Sequence, residues 1–234
     1  MIRAIIFDLY DTLIYRDEAV TAATRATIAR LFGVPPVEIS ALWRRYRDER
    51  MLGVIPTLED HLAVVARELG RQLPAEVLAD AARLERESLR QSVHLYPHTL
   101  RTLAELRRLG FRLGLLSNAS DIAQESLATL GLEACFDGLV LSHRVGILKP
   151  DPRIYRLACA ELQVEPRECA FVADGGFGEL DAAHEVGMLA VKIVQRGQSQ
   201  DYGSSTYFDV CLADVSELLP LAKSWRRAEA EPGG

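Results

Sequence analysis

Ala4-Ile5-Ile6-Phe7-Asp8-Leu9-Tyr10-Asp11-Thr12-Leu13 is the stretch that decides the fold. Its apolar run, Ala4–Phe7, ends at an acid. A short unbroken apolar run closed by a charged residue predicts a strand buried on both faces, as in parallel sheets. Working outward, residues 111–116 end at Ser117-Asn118, Cys169–Ala173 ends at Asp174-Gly175-Gly176, and 189–194 end at Gln195-Arg196-Gly197. Gly138–Leu141 and Val210–Leu212 are weaker strand candidates. Helical patterns separate these runs. Pro97 is placed to open a helix with the stripe Leu100, Leu103 and Leu106 and an end at Gly110. A second carries Ile122, Leu127 and Leu130, and a third follows Asp151-Pro152. Strand–helix alternation predicts an α/β fold with a doubly wound parallel sheet. Such sheets bind ligands at the carboxyl ends of their strands, where these acids and polar residues gather.

Between Ile14 and His94 strand signals vanish. Helical windows fall near 19–31, 37–51, 58–69 and 75–91, broken by Gly33-Val34-Pro35-Pro36, by 53–56 and by 70–74. The expected organisation is an α/β core of 1–14 and 95–228, an inserted helical cap of 15–94, and a loose tail of 229–234. The chain has 234 residues, 49% of them apolar, and a net charge of −6. That charge argues against a generally basic, nucleic-acid-binding surface. No apolar run approaches the ~20 residues of a membrane-spanning helix, and the N-terminus lacks the long apolar stretch of an export signal. Cys135, Cys159, Cys169 and Cys211 show no C-x-x-C spacing, which predicts free thiols in a reducing cytoplasm.

Four segments carry candidate chemistry. Asp8 at a strand end can attack phosphorus or carbon and form an ester intermediate. Ser117 and Asn118 can donate hydrogen bonds to an oxyanion, and Lys149 in Lys149-Pro150-Asp151-Pro152 can neutralise charge. Asp174 and Glu179, in a Gly-rich turn, suit a hard cation such as Mg²⁺. Each alone is ordinary turn or capping chemistry. Their order and spacing are far more specific.

Together the four segments resemble motifs I to IV of the haloacid-dehalogenase-like (HAD) superfamily, and the insert falls where that superfamily places a C1-type helical cap. The resemblance implies that Asp8 is the nucleophile, Ser117 the hydroxyl holding the transferred group, and Lys149 the motif III lysine. It implies Mg²⁺ ligation by Asp8, Asp174, Glu179 and the backbone carbonyl of Tyr10. Phosphatases of this kind have a general acid two residues after the nucleophile, where this chain has Tyr10. Asp11, one residue on, is expected to point elsewhere. Tyr at that place, and the segment Glu38-Ile39-Ser40-Ala41-Leu42-Trp43-Arg44, are similar to L-2-haloacid dehalogenases, in which Arg44 would contact a substrate carboxylate. Thr12 and Arg44 are the expected substrate-binding residues. Motif IV is phosphatase-like, because its acids would crowd Asp8 unless a cation separated them.

Three readings follow. The favoured one is Mg²⁺-dependent hydrolysis of a small, anionic phosphorylated metabolite. The second is metal-independent haloacid dehalogenation, and the third a catalytically weak HAD-like binding protein. None requires nucleic acid or membrane, and the resemblance fits a monomer or homodimer.

Overall fold

A computed structural model describes residues 1–195 and 205–230. In chain order it holds β1 (Ala4–Phe7), β2 (Ile14–Arg16), α1 (Glu18–Phe32), α2 (Pro36–Arg45), α3 (Arg47–Met51), α4 (Leu58–Glu68), α5 (Ala75–Ser92) and β3 (Val93–Leu95). There follow α6 (Thr99–Arg108), β4 (Arg112–Ser117), α7 (Ala123–Thr129), β5 (Gly138–Leu141), α8 (Ser142–Val145), α9 (Pro152–Glu161) and β6 (Cys169–Ala173). The chain continues through α10 (Glu179–Glu185), β7 (Leu189–Ile193), β8 (Val210–Leu212) and α11 (Leu218–Ala230).

Six strands form one parallel sheet in the order β5-β4-β1-β6-β7-β8. The predicted α/β doubly wound class is therefore present. All four β1 side chains are fully buried. Burying each large apolar one contributes about 1.5–3 kcal/mol, which is why this run takes the sheet centre. β4 and β6 flank it, with Phe7 level with Leu115 and Val172. Asp8 leaves the strand with its N–H bonded to the Val172 carbonyl at 2.9 Å. The ends of β4 and β6, carrying Ser117 and Asp174, therefore lie on either side of Asp8. On one face α9 packs close. A Cβ at Gly114 would stand 2.8 Å from Leu162 Cδ1, so that strand position must stay bare.

The 15–94 stretch departs from expectation at its edges. β2 and β3 pair antiparallel, joining its two ends in a short ribbon. They escape a periodicity reading because each has only three residues and a mixed burial pattern. The second helical window breaks at Tyr46 into α2 and α3. Capping sets the ends of α1: Asp17 accepts from the N–H of Ala19 and Val20 at its start, and Gly33, in the stretch expected to break the helix, ends it at φ +67°.

Pro97 does not open α6. The helix starts at Thr99 after His98 in a left-handed conformation, φ +67°. Its buried face uses Thr99 and Thr102 with Leu103 and Leu106, while Leu100 is exposed. Of the expected tail, residues 229 and 230 continue α11 and 231–234 lie outside the described residues, as do Arg196 and Gly197. No described helix is long and apolar enough to cross a membrane.

Candidate active site

Three carboxylates and one ammonium meet at the carboxyl ends of β1 and β6. Asp8, 6% exposed, accepts from Lys149 Nζ at 2.5 Å through Oδ1 and from the Thr12 hydroxyl at 3.4 Å through Oδ2. Lys149 also donates to Glu179 Oε2, and Glu179 Oε1 accepts from the Gly175 N–H at 3.2 Å. Asp174, half-buried, receives the Gly176 N–H at 3.3 Å. Carboxylate oxygens of Asp8, Asp174 and Glu179 all lie within 4.8 Å of one another.

The site is short of positive charge. Among the described residues, three buried or half-buried carboxylates share one ion-paired ammonium, that of Lys149. Burial pushes the Asp8 carboxyl above its ordinary range; Lys149 opposes the shift and Asp174 adds to it. Burial likewise lifts Glu179 well above its ordinary value. Burial alone would lower Lys149, yet Asp8 and Glu179 outweigh it and hold the ammonium charged. A divalent cation among the acids would relieve this imbalance with ligands it favours.

The supporting residues do several jobs that their types alone did not reveal. Asn118 does not face an oxyanion: its Nδ2 donates to the Lys149 carbonyl at 3.0 Å and its Oδ1 accepts the Lys149 N–H at 2.8 Å. It is a clamp that aims the lysine. Thr12, expected to bind substrate, is fully buried, and its hydroxyl is spent on the loops themselves. Its hydroxyl accepts the Asp174 N–H at 3.1 Å, tying the first loop to the β6 loop. Gln195, unforeseen, donates to the Thr12 carbonyl at 2.7 Å. Ser117 is buried at the end of β4, and its Oγ has no hydrogen-bond partner.

Tyr10 sits half-buried at the junction with the helical insertion; burial raises its phenol, which stays protonated. Asp11, expected to point elsewhere, is close enough to feel Asp174 and Asp8. Burial first, then those two charges, lift it to about 6. A left-handed backbone, φ +58°, turns the chain there. Arg44 is exposed, and its Nε reaches only the Ser40 carbonyl, one turn back, at 3.4 Å. The insertion grips the core through a different residue, Asp121. Its Oδ1 accepts from Arg50 Nη2 at 3.1 Å and its Oδ2 from the Leu58 N–H at 2.9 Å. Arg47 stacks over Phe177, 4.9 Å from the ring centre. An open hollow of about 520 Å³ beside Arg156, Gln163 and Glu168 lies at the opposite end of β6, away from this chemistry.

The haloacid dehalogenase-like hydrolase family model matches residues 2–187. The (S)-2-haloacid dehalogenase 4A of Burkholderia cepacia is 30% identical over 227 residues, 94% of each chain. The glyceraldehyde 3-phosphate phosphatase of Methanocaldococcus jannaschii is 25% identical over 232 residues, 97% of this chain and all of that one. The crystal structure of a HAD phosphatase from Thermococcus onnurineus shares the fold, with a TM-score of 0.65, 24% identity, and coverage of 94% of this chain and 97% of that one. The two named activities differ, but the scaffold is one: the chain belongs to the haloacid dehalogenase-like hydrolases.

Proposed function

We propose that this hydrolase is a Mg²⁺-dependent phosphatase acting on a small phosphorylated metabolite. The observation that carries this reading is the convergence of three carboxylates, Asp8, Asp174 and Glu179, within 4.8 Å of one another, with Lys149 as the ammonium that ion-pairs with two of them among the described residues. Asp8, Asp174, Glu179 and the Tyr10 carbonyl would hold the cation. When bound, it lets two anions, carboxylate and phosphoryl, approach each other.

The chain's own residues do the rest. Lys149 ties up Asp8 Oδ1 and leaves Oδ2 with one long bond from Thr12, so Oδ2 is the attacking atom. It forms a bond to phosphorus as the bond to the leaving oxygen breaks. Water then attacks phosphorus and the Asp8 carboxylate departs. Lys149 and the unpartnered Ser117 hydroxyl are placed to hold the phosphoryl oxygens. The helical insertion acts as the cap that excludes bulk water. With Tyr10 two residues after Asp8, no acid stands where such enzymes keep one. That favours acyl and aryl phosphates, whose leaving groups need no proton.

A dehalogenase reading draws support from the same Tyr10 and from the Burkholderia relative. One assay separates the two. Phosphate release from acetyl phosphate or p-nitrophenyl phosphate that EDTA abolishes supports the proposal. Halide release from L-2-chloropropionate that survives EDTA overturns it.

A further inference from the structure

Far from the carboxylates, two thiols are in contact. Cys159 on α9 and Cys169 at the start of β6 lie 3.5 Å apart, sulfur to sulfur. Cys169 also donates its S–H to the Glu165 carbonyl at 3.5 Å. That leaves the Cys159 S–H to point at Cys169 and turns the lone pairs of the Cys169 sulfur toward Cys159. The other two cysteines have no thiol neighbour among the described residues. Cys135 donates to the Gly131 carbonyl at 3.6 Å, and Cys211 is exposed. All four are free thiols.

The pair also has a way in. The open hollow of about 520 Å³ at this end of β6 has Cys159 in its wall, beside Arg156, Gln163, Val164 and Glu165. Cys159 is 2% exposed; Cys169 is fully buried and does not line the hollow. An oxidant small enough to enter therefore meets Cys159 first. Contact with Cys159, then burial, push the Cys169 thiol well above its ordinary range, so it keeps its proton and serves as the second partner. A disulfide needs about 2.05 Å between its sulfurs, so roughly 1.5 Å remains to close.

We propose that Cys159 and Cys169 are a modification site, oxidised reversibly to a disulfide by a peroxide that enters through this hollow. The Cys159 sulfur attacks one peroxide oxygen and the O–O bond breaks. The departing hydroxide takes the thiol proton, leaving a sulfenic acid and water. The Cys169 sulfur then attacks the Cys159 sulfur. The S–S bond forms, the S–O bond breaks, and hydroxide leaves with the Cys169 proton as water. The two thiols lose two electrons, and the peroxide is reduced to two waters. The new bond would join α9, which opens three residues after Lys149, to the strand that ends beside Asp174. The site stands apart from the phosphatase reading and does not depend on it.

The test treats the folded, reduced protein with hydrogen peroxide, blocks the remaining thiols with iodoacetamide in denaturant, and maps tryptic peptides by mass spectrometry. Trypsin cuts after Arg156, Arg167 and Lys192, so the two cysteines fall on separate peptides, 157–167 and 168–192. The expected result is these two peptides joined, and parted again by dithiothreitol. Cys159→Ala should lose the cross-link, and Cys211→Ser, at an exposed position, should keep it. Ala160→Phe, at an exposed residue in the wall of the hollow, should slow it by blocking the entrance. Recovery of both peptides fully alkylated, at a peroxide dose that has already oxidised Cys211, overturns the proposal. So does Cys159 carried to sulfinic acid with no cross-link, or a cross-link that forms only in denaturant. An undiminished rate in Ala160→Phe overturns the entry route. The wild-type map needs no variant, so it decides the central point even where a substitution fails to fold by circular dichroism.

Discussion

Thr12→Val separates a structural from a substrate-binding role at the first loop. The change keeps the shape of the side chain and removes its hydroxyl. In the protein that hydroxyl accepts the Asp174 N–H at 3.1 Å and reaches Asp8 Oδ2 at 3.4 Å, fully buried. The second contact is long and worth little. The first is the larger loss, because the variant leaves a backbone N–H with no partner, at about 1–3 kcal/mol. For a chain of this size 1 kcal/mol shifts Tm by about 2–4 °C, so Tm should fall by about 2–12 °C. Differential scanning calorimetry of both proteins reads it directly. Thr12→Ser restores the acceptor and should recover most of the loss. KM for phosphate esters should change little, because the Thr12 hydroxyl is committed to Asp174 and Asp8. An unshifted Tm together with a raised KM would refute the reasoning and return Thr12 to the substrate-binding role.

Two further outcomes follow from the same geometry. Ser117→Ala removes a buried hydroxyl that bonds nothing, so stability should hold within about 1 kcal/mol while kcat falls at least 10-fold; an unchanged kcat contradicts its role at the phosphoryl group. His61 has a depressed folded-state pKa, about 3 against 6.5 unfolded. Its share of stability is therefore complete above pH 6.5 and is lost as pH falls toward 3. Wild type should lose about 2 kcal/mol between pH 7 and pH 5 that His61→Phe does not lose, measured by urea unfolding. Parallel pH profiles for the two proteins would show that His61 is not held neutral.

Much of the scaffold was legible because its signals are local. Ala4–Phe7 and Cys169–Ala173 are apolar runs ended by acids, and both are buried strands with those bounds. The convergence of Asp8 and Asp174 follows from parallel order, since each directly follows a strand at one end of the sheet, and Glu179 opens the helix after the second of them; Lys149 comes from the loop between α8 and α9 on the same side. What escaped depends on tertiary direction. Asn118 as a clamp on Lys149 requires knowing that two loops 31 residues apart touch. The spacing of Asp11 from Asp8 predicts that it points elsewhere; its backbone takes a left-handed turn at φ +58°, and burial together with the charges of Asp174 and Asp8 raises its carboxyl to about 6. Arg44 and Arg50 are alike in sequence, but one turns to solvent and the other inward to Asp121. Charge-rich helices give no periodic signal for which arginine is buried. β2 and β3 are too short for any pattern to announce them.

The central claim is that Asp8 attacks phosphorus. A single-turnover reaction with ³²P-labelled acetyl phosphate and Mg²⁺, quenched in acid and digested, tests it most directly. The account predicts label on the peptide carrying Asp8, released by hydroxylamine as an acyl phosphate must be, and absent from folded Asp8→Asn. Phosphate release with no label on the protein, or full turnover by Asp8→Asn, would contradict it.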